Sequence, residues 1–224
     1  MILIGMYDSP FVRRVAVSLK LLGFEFEHRS WSVGKDFDRI REYNPLGRVP
    51  TLVLDDGTAL LESAAILDYV DELATAVADG ADCALLPRRG PDRRRALQLM
   101  AFATGAAEKG ILQLYERAFR PEEKWHEPWL ERCRTQMHAG LAALEAACAA
   151  RGAGAWLVGD RLGQADITAT CVFTFLSQAL QLTPQGVSPE AAPYPALGAL
   201  AARCEALPPF QQTRMAFFSP GSRG

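Results

Sequence analysis

The chain has 224 residues, 49% of them hydrophobic and 22% charged, with a formal net charge of −2. That length supports one sizeable core or two modest ones. The near-neutral charge gives no reason to expect nucleic acid or an anionic membrane as a partner, and no apolar run approaches the ~20 residues of a membrane-spanning helix.

The opening MILIGMYDSP has no basic stretch and turns polar too early for a leader peptide, so a cytoplasmic protein is expected. Ile2–Tyr7 reads as a buried strand that stops at Asp8-Ser9-Pro10. Ser9 is placed to cap a helix and Pro10 to occupy its first position. On that helix Val12, Val15, Ala16, Leu19 and Leu22 recur on one face, with Arg13, Arg14 and Lys20 off it, and Gly23 ends it. Phe24, Phe26 and His28 alternate with Glu25, Glu27 and Arg29 as a half-buried strand should. A short helix is predicted near Asp36–Tyr43. Thr51–Leu54 and Thr58–Leu61 then form a hairpin around Asp55-Asp56-Gly57, and Ser63 caps a helix that turns Ile66, Val70 and Leu73 inward.

The composition changes beyond this point. Asp79–Gly90 is rich in Gly, Asp, Pro and Arg and reads as a linker, and no convincing strand follows it. Helices are predicted over Asp92–Phe119, Glu127–Ala150, the strongly apolar and central Gln164–Leu182, and Pro195–Leu207. Thr183–Tyr194 reads as a loop. The tail after Pro208 is irregular but carries Phe210, Phe217 and Phe218, which predicts that it packs down. The expected architecture is an α/β domain over residues 1–78 in the order βαβαββα, a linker over 79–90, and an all-α domain over 91–224.

Five cysteines (Cys83, Cys133, Cys148, Cys171 and Cys204) are widely spaced with no C-x-x-C pair, the pattern of free thiols rather than of a disulfide framework. His28, His126 and His138 show no metal-ligand spacing, and no metal is expected.

Three short motifs carry the chemistry. Ser9 lies where a strand ends and a helix begins. As a plain helix cap it needs no further explanation, but the same helix N-terminus favours an anion, and a serine hydroxyl can donate to a thiolate and not to a thiol. Lowering a thiol by two pKa units from about 8.5 takes roughly 2.7 kcal/mol, a reasonable sum for one charged hydrogen bond plus a helix dipole. Val49-Pro50 precedes a strand. Either it is a simple strand-entry proline, or a special peptide bond turns the Val49 N–H and C=O toward an extended peptide ligand. Arg48 beside it is a solvated arginine or a carboxylate partner. Glu62-Ser63 opens a helix, as a cap or as a clamp in which Ser63 takes an α-carboxylate and Glu62 the adjoining ammonium.

The stretches Ser9-Pro10-Phe11-Val12-Arg13-Arg14-Val15, Asn44-Pro45-Leu46-Gly47-Arg48-Val49-Pro50-Thr51-Leu52 and Glu62-Ser63-Ala64-Ala65-Ile66 resemble the thioredoxin-like half of cytosolic glutathione S-transferases. The later helices resemble their all-helical second domain. The first stretch is most similar to serine-type bacterial members and the plant tau class. The resemblance implies that Ser9 activates the glutathione thiol and that Pro50 is cis. It implies that Phe11, Arg48, Val49, Pro50, Glu62 and Ser63 hold glutathione, a cosubstrate. It also implies a homodimer, with a pocket for a small hydrophobic electrophile between the two domains. Tyr7 competes with Ser9 as thiol activator, because some classes use a tyrosine at the end of the first strand. Cysteine-type chemistry is disfavoured, since no cysteine precedes Cys83. The family's Ser/Thr-x-x-Asp capping box is altered here to Gly163-Gln164-Ala165-Asp166, at an expected cost of only a few tenths of a kcal/mol.

By position, Tyr7 and Tyr115 are expected at the electrophile pocket, Tyr115 on a stretch that also carries Ala106, Lys109, Glu116, Phe119 and Arg120, whose aromatics otherwise read as helix-packing core. The expected function is conjugation of glutathione to hydrophobic electrophiles. A non-catalytic carrier or scaffold of the same fold, or a narrow glutathione-dependent dehalogenase or etherase, stands as the alternative.

Overall fold

The computed structural model describes residues 1–77, 83–182 and 192–218. The first compact unit comprises Met1–Arg88 together with Leu207–Met215, and the second comprises Arg89–Ala206 with Ala216–Gly224. The sequence assigns all of 91–224 to the helical half, so the return of 207–215 to the first unit is a feature that spacing does not reveal.

The first unit runs β1 (Ile2–Ile4), α1 (Pro10–Leu21), β2 (Glu27–Arg29), α2 (Phe37–Arg41), β3 (Thr51–Val53), β4 (Ala59–Leu61) and α3 (Ser63–Val77). This is the expected βαβαββα order. The sheet order is β2-β1-β3-β4, with β1 parallel to β2 and antiparallel to β3, and β3 antiparallel to β4. Pleating sends alternate residues to opposite faces. Leu3 and Leu52 join Val12, Val15, Ala16 and Leu19 of α1 and Ile66, Leu67 and Val70 of α3 on one face. Ile4 and Val53 face Ile40 of α2 on the other, flanked by Trp31, Val33 and Tyr43. Each fully buried Leu, Ile or Val contributes roughly 1.5–3 kcal/mol against its exposed state.

β2 is shorter than the alternation predicts. The register ends at Ile2 opposite Glu27, and Phe24 N–H instead donates to Leu19 C=O at 2.9 Å, closing the end of α1. The hairpin forms as expected, with Leu54 N–H donating to Thr58 C=O at 2.8 Å.

Two sequence expectations are corrected on α1. Arg13 and Arg14 do not point to solvent; they are 5% and 2% exposed. A short helix α8 (Pro208–Gln212) lies against α1. Arg13 donates from Nε to Thr213 C=O at 3.2 Å and from Nη2 to Phe210 C=O at 3.0 Å. A buried guanidinium is tolerated when its donors are met, and here a returning chain segment meets them. Arg14 is engaged by Ser63, as described below.

Residues 78–82, which take in the start of the predicted linker over 79–90, lie outside the described residues. From Cys83 the chain is held back to α3, since the Leu85 and Leu86 N–H groups each donate to the Asp71 carboxylate at 2.9 Å.

The second unit contains α4 (Gly90–Phe119), a 3-10 turn at Glu122–Lys124, α5 (Glu127–Arg151), α6 (Gln164–Leu180) and α7 (Pro195–Glu205). Residues 164–172 of α6 are buried without interruption, as its apolar run predicts for a central helix. At Gly110 the α4 backbone comes so close to α6 that a Cβ would lie 2.2 Å from Leu176 Cδ2. The altered capping box keeps its acidic half. Asp166 is fully buried and accepts from Gly163 N–H at 3.0 Å and Leu157 N–H at 2.8 Å. Glu145 on α5 accepts from the Ala196 and Leu197 N–H groups and so caps α7. Phe217 packs edge-on against Phe175 at 5.7 Å, so this part of the tail does pack down. The predicted loop over 183–194 falls mostly outside the described residues. No described helix is long and apolar enough to cross a membrane.

Candidate functional site

α1 starts where β1 delivers the chain into a tight turn. Ser9 has extended backbone, and its Oγ accepts from Val12 N–H at 3.4 Å while Pro10 occupies the first helical position. That bond uses an oxygen lone pair, and among the described residues the Ser9 hydroxyl donates to no acceptor. Its proton therefore remains available at a helix N-terminus, where N–H groups and the helix dipole favour negative charge.

The Val49-Pro50 bond is cis. Asn44, 2% exposed, organises the loop before it. Its Nδ2 donates to Arg48 C=O at 2.8 Å and to Thr51 Oγ1 at 3.3 Å, and its Oδ1 accepts from Leu46 N–H at 3.0 Å. Among the described residues neither the Val49 N–H nor its C=O has a hydrogen-bond partner. An extended ligand could pair with both.

Glu62 lies just before α3 with φ 67, a left-handed conformation rare outside glycine, and is one of two non-glycine residues with positive φ among those described. The sequence makes Ser63 the cap of α3. In the structure Ser63 is the first helical residue, Glu62 C=O accepts from Ile66 N–H, and Ser63 Oγ is taken by Arg14 Nη2 at 2.6 Å. The guanidinium competes successfully because a charged donor makes the stronger bond.

These motifs are joined in space by three links. Gly5, with φ +129, sits where α1 and the Val49 loop both close on β1. A Cβ there would lie 2.5 Å from Val12 Cγ2 and 2.8 Å from Val49 Cβ, so only glycine permits the approach. Arg14–Ser63 ties α1 to the start of α3. Arg48 Nη1 and Glu62 Oε1, 3.4 Å apart, tie the cis-proline loop to the same start. That ion pair is about 60% exposed on each side and contributes about 0–1 kcal/mol. Phe11 is half-buried, its ring 6.0 Å from the Arg14 guanidinium.

Tyr7 stacks flat on His28, ring centroids 3.8 Å apart, and His28 Nε2 donates to Gly5 C=O at 2.8 Å. Burial pushes the Tyr7 phenol up to about 12, and its ring packs against the core of the first unit. Tyr115 lies in the second unit, on α4. It is 40% exposed and meets Phe119 edge-on at 5.2 Å. Four cysteines are buried and Cys83 is half-buried, all as free thiols. Burial pushes Cys148 up to about 12 and Cys204 to about 11, which keeps both protonated at neutral pH. Among the described residues no cluster of His, Cys, Asp and Glu could hold a metal ion.

Gly5, Arg14, Asn44 and His28 complete this region and escape the motif reading. An isolated glycine at the end of a strand signals a close backbone approach and could have marked Gly5. No local signal marks Arg14, whose role depends on a residue 49 positions away.

A small mixed sheet with a cis-proline loop and a serine-capped helix, followed by a helical unit, defines a glutathione transferase-type fold. Residues 3–77 match the family model for the glutathione S-transferase N-terminal domain, and residues 127–203 match that for its C-terminal domain. The chain belongs to the glutathione S-transferase family. The uncharacterized GST-like protein YibF of Escherichia coli is 32% identical over 143 residues, covering 64% of this chain and 67% of that one. A glutathione S-transferase from Methylobacterium radiotolerans, solved with glutathione sulfonate, superposes with a TM-score of 0.85 at 28% identity over 100% of this chain and 98% of its own. A family member from Pseudomonas fluorescens Pf-5 with bound glutathione gives 0.72 at 27% identity over 95% and 98%. Matches to plant glutathione S-transferases from Glycine max and Arabidopsis thaliana span 31% of those chains.

Proposed function

We propose that this protein is a glutathione transferase that directs the glutathione thiolate at a small hydrophobic electrophile. Glutathione lies extended along the first unit. Its cysteinyl part pairs with the Val49 N–H and C=O, its γ-glutamyl end meets Glu62 and Ser63, and its glycine end lies near Arg48. Phe11 and Pro50 shape the floor. The Ser9 hydroxyl donates a hydrogen bond to the thiolate sulfur, which lowers the thiol pKa, and the enzyme's contribution is positioning plus a more abundant nucleophile. In the reaction the sulfur forms a bond to an electrophilic carbon. In a substitution the leaving group departs with the electron pair of the broken bond; in an addition that pair protonates on the acceptor. No metal takes part. Tyr7 is a packing residue and Tyr115 a contact for the electrophile. The protein acts in the cytoplasm as a homodimer.

The observation that carries this reading is the convergence of an uncommitted serine proton, an uncommitted Val49 backbone and the start of α3, joined by Gly5, Arg14 and Arg48. Relatives of the same fold solved with glutathione sulfonate and with glutathione support it.

The test is calorimetric titration with glutathione, followed by turnover with a panel of nitroaryl halides, unsaturated carbonyls, haloalkanes and aryl ethers. Binding with conjugation of several classes is expected. Binding without turnover would make the protein a carrier, and turnover of haloalkanes or ethers alone would make it a narrow catabolic enzyme. Absence of binding would remove the site assignment.

A further inference from the structure

The second unit holds a cavity of its own, about 310 Å³ in volume, between the end of α5, the loop that follows it and one face of α7. All of its residues belong to that unit, whereas Ser9, Val49 and Glu62 belong to the first. On α7, Ala196, Ala199, Leu200 and Arg203 recur at three- and four-residue steps and so share the face that borders it. The space exists because two of these four are alanines. Cys148, Leu157 and Leu200 are its buried residues. Burial keeps the Cys148 thiol protonated, so the three offer a neutral, apolar surface. At roughly 30 Å³ for each water-sized atom group, the volume suits a ligand of about ten non-hydrogen atoms.

Among the described residues the charged groups that border the cavity are two arginines, Arg151 and Arg203. The Arg203 guanidinium lies over the Trp156 ring, 3.9 Å from its centroid, and its Nη2 donates to Ala155 C=O at 2.7 Å. Its Nε is buried and has no hydrogen-bond partner among the described residues. Arg151 donates from Nε to Trp156 C=O at 2.9 Å and from Nη2 to Gly159 C=O. Both arginines therefore brace the loop through neutral carbonyls, which fix the two charges in place without cancelling them. Neither makes an ion pair among the described residues. Glu145 and Asp166 are close enough to raise the Cys148 thiol through space, and Asp166 senses Arg203. Both carboxylates are nevertheless occupied by backbone N–H groups, Glu145 by those of Ala196 and Leu197 and Asp166 by those of Leu157 and Gly163. Neither borders the cavity. The end of α5 adds only about half a negative charge.

We propose that this cavity binds a small carboxylate with an apolar body, an aryl or short alkyl acid, with the body against Cys148, Leu157 and Leu200 and the carboxylate on Arg203 with Arg151 beside it. A guanidinium fork matches a carboxylate, and the anion answers a charge that the loop carbonyls leave standing. The two halves of the ligand are both needed. Phosphate or sulfate would meet the arginines but leave the apolar surface wet, and an uncharged ring would cover that surface but strip water from the arginines without replacing it. Occupancy does not depend on glutathione, because no residue of the thiol site takes part.

The experiment titrates the full chain with phenylacetate, an acid of the expected size, and with phenylacetamide, its uncharged counterpart, by ligand-observed NMR. Each titration is repeated with S-hexylglutathione present, and thermal unfolding checks the fold of every variant. Wild type is expected to bind phenylacetate with a Kd of about 1 mM or tighter, and the amide about tenfold or more weakly. S-hexylglutathione should leave both affinities within about twofold. Arg203→Met should cost phenylacetate about fivefold or more and the amide less than about twofold. Arg151→Met should act in the same direction, and it decides the role of charge if Arg203→Met does not fold. Ala199→Leu fills the space from an exposed helix position, and it should weaken both ligands about fivefold or more. No binding of phenylacetate at 10-fold above that Kd would overturn the proposal, as would equal affinity for acid and amide. Displacement of phenylacetate by S-hexylglutathione, or an affinity that Ala199→Leu leaves unchanged, would place the ligand elsewhere and overturn it too. None of these failures bears on glutathione binding, which the calorimetric titration above tests separately.

Discussion

Replacing Ser9 separates two functions held by one hydroxyl. Its oxygen caps α1 through Val12 N–H, and that bond is long at 3.4 Å, so the stability lost in Ser9→Ala falls toward the low end of the roughly 0.5–2 kcal/mol typical of such caps. Its proton is assigned to the glutathione sulfur. A hydrogen bond to a charged group contributes about 1.5–3 kcal/mol, and at about 1.36 kcal/mol per pKa unit its loss raises the bound thiol by about one to two units. From a bound thiol about two units below the usual value of about 8.5, the thiolate fraction at pH 7 then falls by about 3- to 25-fold, and turnover falls with it. Ser9→Gly isolates the second function, because glycine is a tolerable N-cap and costs only a few tenths of a kcal/mol there. The assay is ultraviolet difference absorbance of the bound thiolate across a pH titration in wild type, Ser9→Ala and Ser9→Gly. Both variants should shift upward alike, while remaining somewhat below free glutathione because the helix N-terminus is still in place. If Ser9→Gly keeps the wild-type thiol pKa, the hydroxyl does not stabilise the thiolate and the reasoning fails.

Four further outcomes follow from the same geometry. Tyr7→Phe should leave the thiol pKa within a few tenths of a unit, since its raised phenol pKa and its stack on His28 mark a packing residue; a shift as large as that of Ser9→Ala, measured in the same titration, would return the role to Tyr7. Glu62→Ala should weaken glutathione binding more than it slows saturated turnover, and an unchanged calorimetric affinity would remove it from the clamp. Arg13→Met should destabilise the protein by about 1–3 kcal/mol in urea unfolding, because the Thr213 carbonyl loses the Arg13 donor and the Phe210 carbonyl keeps only Thr213 Oγ1; a loss below about 0.5 kcal/mol would show that the α8 segment does not depend on it. Cys148 and Cys204, held protonated by burial, should resist iodoacetamide at pH 7.5 until denaturant is added, and rapid native alkylation seen by mass spectrometry would contradict their burial.

Much of the fold could be read along the chain because its signals are local. Apolar residues every third or fourth position gave α1 its buried face, alternation and an Asp-Asp-Gly turn gave the hairpin, and the long apolar run at 164–182 marked the central helix. The three motifs around Ser9, Val49-Pro50 and Glu62-Ser63 were legible for the same reason, since each is a short stretch whose residue types suit one local geometry. What the chain alone could not supply is the set of partners that bring distant residues together. Helical spacing put Arg13 and Arg14 on the solvent side of α1, because a periodicity argument knows only the helix's own faces. Tertiary packing buried both, one beneath carbonyls about 200 positions later and the other against Ser63. The same contact changed Ser63 from a cap into the acceptor of a cation, and Gly5 acquired its importance only when α1 and the Val49 loop closed around it. Local propensity therefore determined which elements form and where the reactive residue types lie. Long-range packing and the need to satisfy buried charge decided which of those residues meet, and in what hydrogen-bonding state each is left.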